Sequence, residues 1–200
     1  MGEEPVDESK RATLRRFAAL GAASPLVALA DSGSDSTAPD AIAGYLSRTP
    51  GAHFSKIRDD LQLGTGETQH HLRQLLTKET IESERDGEYR RFFPADRFEA
   101  FERTALGYLR RETPRGMIVT LLERPDATAS EVADRLDVSN PTVSKYAGRL
   151  EDAGLLTRED GYELRNPETL LLLVVQYADS FGPDAIAFAA AADEHITYKK

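Results

Sequence analysis

The sequence contains no cysteine and no tryptophan, and it has only two methionines among its 200 residues. The absence of cysteine excludes disulfides, thiol nucleophiles and zinc sites built on thiolates. No run of 18 apolar residues occurs, so the sequence predicts no ordinary membrane span. Lysine is scarce as well, because only six of the 25 basic residues are lysines and nineteen are arginines.

Acidic residues outnumber basic ones by 34 to 25, which gives a formal charge of −9. A generic polyanion binder has the opposite sign, so the total charge argues against a nucleic-acid partner. Local basic faces, however, determine phosphate contacts. The acid-rich, lysine-poor composition is similar to that of haloarchaeal cytoplasmic proteins, and a screening length of about 3 Å at 1 M salt would reduce repulsion from DNA. We therefore expect a halophilic, cytoplasmic archaeal protein, for which DNA remains a permitted partner.

The most informative stretch of the chain is residues 128–164. It begins with a short helical pattern for which Thr128 or Ser130 is a suitable N-cap. The apolar face of this pattern consists of Val132, Ala133 and Leu136.

A second helix is predicted after a turn at residues 137–140. Ser139 or Asn140 suits its N-cap, Pro141 suits its first position, and Gly154 suits its end. Its apolar positions recur at i, i+4 and i+7, namely Val143, Ala147 and Leu150.

Residues 155–164 read as two short strands around Asp160–Gly161, a dipeptide suited to a tight hairpin turn. The order is helix, turn, helix and hairpin wing. The wording S-N-P-T-V-S-K-Y-A, followed by L-E-D-A-G-L-L, closely resembles the recognition helix and the beginning of the wing in winged helix-turn-helix regulators of the ArsR and MarR type.

The resemblance implies a DNA-binding helix that enters the major groove. It implies that Thr142 and Ser144 contact base edges or phosphates. It also implies that Lys145 and Arg149 form charge-assisted bonds with the DNA. The candidate contact residues are Asn140, Thr142, Ser144, Lys145 and Arg149. The alternative is an ordinary helical hairpin with a solvated polar face.

A shift of 75 residues aligns this stretch with an earlier copy of itself. Pro50, Ala52, Ser55, Asp59, Leu61 and Leu75 coincide with Pro125, Ala127, Ser130, Asp134, Leu136 and Leu150. This internal repeat predicts two tandem winged helix-turn-helix domains.

In the first copy the recognition helix is predicted from Thr65 to Lys78 and resembles the archaeal winged-helix phrase that ends in H-L-x-x-L. Glu67 departs from a DNA-binding pattern, because its carboxylate suits the helix dipole but repels phosphate. The DNA-binding candidates on this helix and its wing are Gln69, His70, Arg73, Arg85, Arg90 and Arg91. A charged edge that prevents self-association is the alternative for the wing arginines.

After the second wing, a helix that starts at Asn166–Pro167 is apolar nearly all round and needs to be buried on more than one side. We expect a homodimer here, because two DNA half-sites are recognised by two recognition helices, one from each subunit. The predicted dimerisation stripe is Leu170, Leu173, Val174, Tyr177 and Phe181.

Residues 1–39 are the least informative part. Arg15–Arg16, a short apolar run and Ala-Leu-Ala before Asp31 have a weak similarity to a twin-arginine export signal. We favour the alternative of an alanine-rich helix and then a polar linker at residues 31–40.

No enzymatic function is expected. The sequence has no H-E-x-x-H, G-x-S-x-G, Walker A or dinucleotide fingerprint. His70 and His71 are adjacent, so they point about 100° apart on a helix and cannot ligate one metal as an i, i+4 pair could. We therefore predict no catalytic residues, no metal and no cofactor.

The sequence thus predicts a mainly α protein with small β-hairpin wings, acting as a transcription regulator on double-stranded DNA. The predicted parts are an N-terminal segment (1–39), a first winged domain (40–95), a connecting helix (96–113), a second winged domain (114–165) and a C-terminal helical dimerisation element (166–200). Two alternatives stay open: a winged-helix scaffold that binds proteins, and a chromatin-like binder that tolerates any DNA sequence.

Overall fold

The computed structural model describes residues 37–192, and the predictions for residues 1–36, including the export-signal similarity, lie outside the described residues. The chain divides into two compact units between Phe98 and Glu99. Among residues 37–192, no helix is long and apolar enough to cross a membrane.

From residue 37 onwards, the first unit is a winged helix with three helices and a three-stranded sheet. The strands are all antiparallel, and their spatial order is β1, β3, β2. The elements are α1 (Thr37–Arg48), β1 (Ala52–His53), α2 (Phe54–Asp60), α3 (Thr65–Thr77), β2 (Ile81–Asp86) and β3 (Tyr89–Pro94).

The core of this unit lies where the three helices meet the sheet. Helix α1 already begins at Thr37, so the polar linker predicted at residues 31–40 ends sooner than expected. Apolar side chains at helical spacing meet on the inner faces, and their removal from water drives the packing. The buried members of this core include Ile42, Tyr45, Leu46, Ile57, Leu61, Leu72 and Phe92.

The wing of the first unit is a hairpin of two six-residue strands joined by a two-residue turn. Asp86 pairs with Tyr89 at its tip, and Gly87 takes a φ of 62° there, a conformation that glycine adopts without steric cost. Strand β1 pairs with β3 on the other side, through Ala52 opposite Phe92. The base of this wing is therefore anchored along both edges of β3.

The second unit repeats the winged helix and adds flanking helices. Its elements are α4 (Ala100–Leu109), α5 (Glu112–Glu123), α6 (Ala129–Leu136), α7 (Asn140–Asp152), β4 (Leu156–Thr157), β5 (Glu163–Leu164), α8 (Pro167–Phe181) and α9 (Pro183–Ala190).

Two details of the second unit differ from the sequence prediction. The wing strands have only two residues each, and residues 158–162 join them, so no tight turn forms at Asp160–Gly161. The helix expected to connect the two domains is shorter than residues 96–113. It packs against α5 and α8 as an integral part of the second unit.

The predicted dimerisation stripe on α8 is wrong. Its five side chains are buried within the chain, where α8 packs against α4, α5 and α9. Local periodicity located the buried face of the helix correctly, but it carried no information about which helices cover that face. The stripe consists of Leu170, Leu173, Val174, Tyr177 and Phe181.

Two arginines attach the C-terminal helices to the second unit. The Arg110 guanidinium donates to the carbonyl oxygen of Ser180 at 2.6 Å and lies 4.6 Å from the ring centroid of Phe181. Arg115, only 7% exposed, donates to Asp184 Oδ2 at 2.8 Å and to the Leu109 carbonyl at 3.2 Å. These bonds compensate the cost of burying the Arg115 charge.

The two recognition helices, α3 and α7, end in the same backbone motif. Glu79 has a φ of 54° and Gly154 has a φ of 71°, and the two positions are 75 residues apart. In each case the next amide donates to a helix carbonyl five residues earlier, at 3.0 Å in the first unit and 2.9 Å in the second. This is the Schellman arrangement, which favours glycine. The first copy therefore holds a glutamate in a glycine position.

Exchanging these residue types should change stability in opposite directions. Glu79→Gly should raise the free energy of unfolding by about 1 kcal/mol, since it relieves the left-handed strain of a residue with a Cβ. Gly154→Glu should lower the free energy of unfolding by a similar amount. No atom lies within 4 Å of the added Cβ, so this destabilisation comes from backbone strain and not from a steric clash. Urea unfolding of both variants measures the effect, and changes of the same sign would contradict this assignment.

His53 caps the N-terminus of α2 in its neutral form. Its Nδ1 accepts a hydrogen bond from the Lys56 amide at 3.4 Å, and its ring lies 5.0 Å from the ring of Tyr89. Partial burial, reinforced by the positive charges of Arg91 and Lys56, lowers the pKa of His53 below its ordinary value. A protonated Nδ1 would have no lone pair left for the cap.

The depressed pKa makes stability depend on pH. The unfolded chain takes up a proton at the ordinary histidine pKa while the folded chain resists it, so stability falls as the pH decreases from about 7.5 to about 5.5. The variant His53→Asn keeps a side-chain acceptor at the cap without this titration. We expect a smaller loss of unfolding free energy over this range in the variant. Equal pH dependence in both proteins would refute the role of His53.

Candidate nucleic-acid interface

Helix α7 of the second unit is held at its start by a serine cap. Ser139 Oγ accepts from the Thr142 amide at 3.4 Å and lies 2.9 Å from the Thr142 hydroxyl. Pro141 occupies the first turn, where its missing N–H costs nothing. The first turn contains no acidic residue, so no carboxylate in that turn compensates the positive end of the helix dipole.

The inner and outer faces of α7 are sharply different. Val143, Ala147 and Leu150 are fully buried against the unit, which fixes the rotation of the helix about its axis. The outer face carries the predicted contact residues. Asn140, Ser144, Lys145 and Arg149 are exposed, whereas Thr142 is half-buried beside Ser139.

The two cations of this face are one helical turn apart, since Lys145 and Arg149 are at i and i+4. The Arg149 guanidinium lies 5.5 Å from the ring centroid of Tyr146, a cation–π distance. The backbone carbonyl of Arg149 accepts a hydrogen bond from the Tyr108 hydroxyl on α4 at 3.0 Å. Tyr108 and Tyr146 support the site, and sequence reasoning missed both. The contact of Tyr108 spans 41 residues and leaves no local signal, whereas Tyr146 lies three residues before Arg149, so the i, i+3 spacing could have indicated it.

The wing of the second unit contributes little positive charge. Residues 156–164 contain three carboxylates and one arginine, Arg158. That arginine donates to Glu151 Oε2 at 2.6 Å, and this hydrogen bond raises the pKa of Arg158. The helix face, and not the wing, is therefore the basic surface of this part of the chain.

In the first unit, the questionable Glu67 has a structural role. Its carboxylate accepts from the Gly64 amide at 3.1 Å and so satisfies the N-cap amide of α3, which is the half of a capping box that a glycine N-cap allows. The three predicted contact residues of this helix, Gln69, His70 and Arg73, are exposed on the side away from the core.

The wing of the first unit holds one correction. Arg91 is only 3% exposed, because its guanidinium pairs with Asp86 and donates to the Gly51 carbonyl at 2.9 Å. The Arg91 guanidinium therefore anchors β3, and we exclude this residue from the predicted DNA contacts. Arg85 and Arg90 are exposed directly opposite each other on β2 and β3.

The structure thus brings the predicted residues together in two groups, one in each unit. The first group comprises Gln69, His70, Arg73, Arg85 and Arg90, and the second comprises Asn140, Thr142, Ser144, Lys145 and Arg149. No group of three or more histidines or carboxylates suited to a metal ion occurs within residues 37–192.

Comparisons with known proteins agree with this architecture. Residues 36–106 match a family model described as an N-terminal HTH domain, and residues 116–163 match the model of the MarR family. No curated protein and no solved structure matches the chain significantly. The mainly α fold class with hairpin wings, predicted from the sequence, is confirmed. The chain is therefore a winged helix-turn-helix regulator of the DNA-binding class, with two such domains in tandem.

Proposed function

We propose that this regulator reads double-stranded DNA by inserting α7 into the major groove. One observation carries the proposal: Lys145 and Arg149 stand together on the exposed face of a helix whose opposite face is fully buried. An α-helix fits the major groove, where its N-terminal residues reach base edges.

The residues of α7 have different roles in this mechanism. Asn140 and Ser144 lie near the helix N-terminus and are exposed, so they contact base edges. The Thr142 hydroxyl, already next to Ser139, positions the first turn and contacts a phosphate together with the helix amides. Lys145 and Arg149 form charge-assisted bonds with phosphates or guanine, which arginine recognises in a bidentate manner.

The first domain supplies auxiliary contacts. Gln69, His70 and Arg73 face solvent on α3, while Arg85 and Arg90 on the wing follow a DNA backbone or a minor groove. Glu67 weakens the attraction of the α3 N-terminus for phosphate, because its carboxylate already compensates the helix dipole there.

Removing both cations of α7 should weaken this mode of binding. A DNA site is first selected from a random pool with the unmodified chain, and its affinity is then measured by fluorescence anisotropy across several salt concentrations. Lys145→Ala with Arg149→Ala should weaken binding and make the salt dependence less steep, with a log–log slope reduced by roughly one for every phosphate that is no longer neutralised. Asn140→Ala or Ser144→Ala should instead relax sequence preference, costing about 1 to 3 kcal/mol at one base pair.

The matched control is Arg48→Ala with Arg124→Ala, which removes the same charge from two positions outside both groups. Equal affinity of the α7 variant and this control would exclude α7 from the interface. If selection from the random pool enriches no DNA sequence, the result favours the chromatin-like binder. If the chain binds proteins but no DNA, the result favours the protein-binding scaffold.

We also propose that the regulator acts as a homodimer through the outer faces of α8 and α9. In the described part of the chain, three large apolar side chains are exposed, and two of them are on this helix pair: Leu172 at 63% and Ile186 at 46%. Helix-turn-helix proteins read paired half-sites as two-fold dimers, and exposed apolar side chains of this kind suit a contact between two copies.

Sedimentation equilibrium tests the dimer with point variants, because truncation at Arg165 would remove α8 and with it part of the core. Leu172→Lys with Ile186→Lys should shift the chain to a monomer, since charges are costly in an apolar interface. Tyr89→Lys is the control, because Tyr89 is the third exposed apolar residue and lies on the wing of the first domain. A double variant that sediments like the unmodified chain would disprove this interface.

A further inference from the structure

The first domain contains a groove between its recognition helix and its wing that the DNA contacts do not explain. It encloses about 670 Å³, a volume in the range of small-molecule sites. Helix α3 forms one wall and β3 the other, and the first residue of α2 closes one end. The lining residues are Phe54, Thr65, Gln69, Leu72, Arg73, Leu76, Thr77, Arg90 and Phe92.

The floor of the groove is apolar and only partly covered. Leu72 and Phe92 are buried in the core of the domain, while Phe54 and Leu76 pack against that core and remain half-buried. A ligand that covers Phe54 and Leu76 would gain hydrophobic free energy without displacing any element of the fold. This favours an occupant with a flat apolar body.

The rim of the groove is basic, which is unusual in a chain with an excess of nine acidic charges. Arg73 and Arg90 approach it from opposite walls, and the lining contains no aspartate and no glutamate. The Arg90 guanidinium is oriented by a 2.9 Å hydrogen bond from its Nε to Ser83 Oγ and lies 5.6 Å from the ring centroid of Phe92. Its remaining N–H donors suit a carboxylate or sulfonate.

The second domain lacks the residues that build this groove. With the 75-residue offset, Leu72, Arg73 and Leu76 correspond to Ala147, Gly148 and Glu151. The apolar floor thus loses its large side chains, one arginine becomes a glycine, and a carboxylate appears. The groove is a property of the first copy, and the duplicated fold alone does not require it.

We infer that the groove between α3 and β3 binds a small amphipathic monoanion, with its apolar body on Phe54 and Leu76 and its acidic group between Arg73 and Arg90. The same two arginines belong to the proposed DNA contacts of the first domain, so a bound anion competes with DNA there. That competition rests on the proposed function, whereas binding of the anion does not.

The test uses the full chain without DNA, so its result is independent of whether the chain binds DNA. The probe is 8-anilinonaphthalene-1-sulfonate, an aromatic anion whose fluorescence rises in apolar surroundings. Its uncharged counterpart, N-phenyl-1-naphthylamine, measures the apolar contribution alone. We expect one equivalent of the sulfonate to bind, with amide chemical-shift changes confined to residues 54, 65–77 and 90–92.

The variant Arg73→Gln with Arg90→Gln should weaken sulfonate binding at least tenfold and leave binding of the uncharged probe within twofold. Both arginines are exposed, so the fold does not depend on them, and an unchanged circular dichroism spectrum verifies this. The matched control, Arg48→Gln with Arg165→Gln, removes equal charge elsewhere and should change neither affinity by more than twofold. Sulfonate affinity that falls equally in both variants, or shift changes outside the groove, would overturn the inference.

Discussion

Each recognition helix depends on the burial of one narrow stripe of side chains. In α7 the stripe is entirely apolar, and in α3 it begins with Thr68, whose buried hydroxyl donates to the Gly64 carbonyl at 2.9 Å. The stripe fixes the rotation of the helix, so the positions between its members face solvent and can change at little cost to stability. This explains why the two copies share core positions and differ on the surface, where His70 in the first copy corresponds to Lys145 in the second.

Features that arise from neighbouring residues were predictable from the sequence. The capping side chains Thr128 and Ser139 and the left-handed glycine Gly154 each act within a few residues of the helix end that they define. Glu131 completes the cap of α6 by accepting from the Thr128 amide and hydroxyl, which lowers the pKa of its carboxyl. Because these interactions are local, the boundaries of α6 and α7 agree with the pattern to within a residue.

Features that depend on distant partners were not predictable in the same way. Arg91 follows two other charged or aromatic side chains on a strand and reads as a surface cation, but its guanidinium donates a hydrogen bond to the Gly51 carbonyl, 40 residues earlier. The apolar helix α8 reads as an interface for the same reason. Its partners α4 and α5 lie far earlier in the chain, and nothing in its own periodicity distinguishes a neighbour in the same chain from a second copy.

The two copies of the winged helix divide their basic charge unequally between helix and wing. The first copy has an acidic cap, Glu67, on its helix but a long wing anchored by β1, with Arg85 and Arg90 exposed. The second copy has two exposed cations on its helix, while its wing has two-residue strands and a surplus of carboxylates that would repel phosphate. With two copies in one chain, neither copy has to carry both a basic helix face and a basic wing. If α7 reads base edges, as we propose, α3 does not need the same surface, and the groove with a floor of Leu72 and Leu76 is compatible with this division.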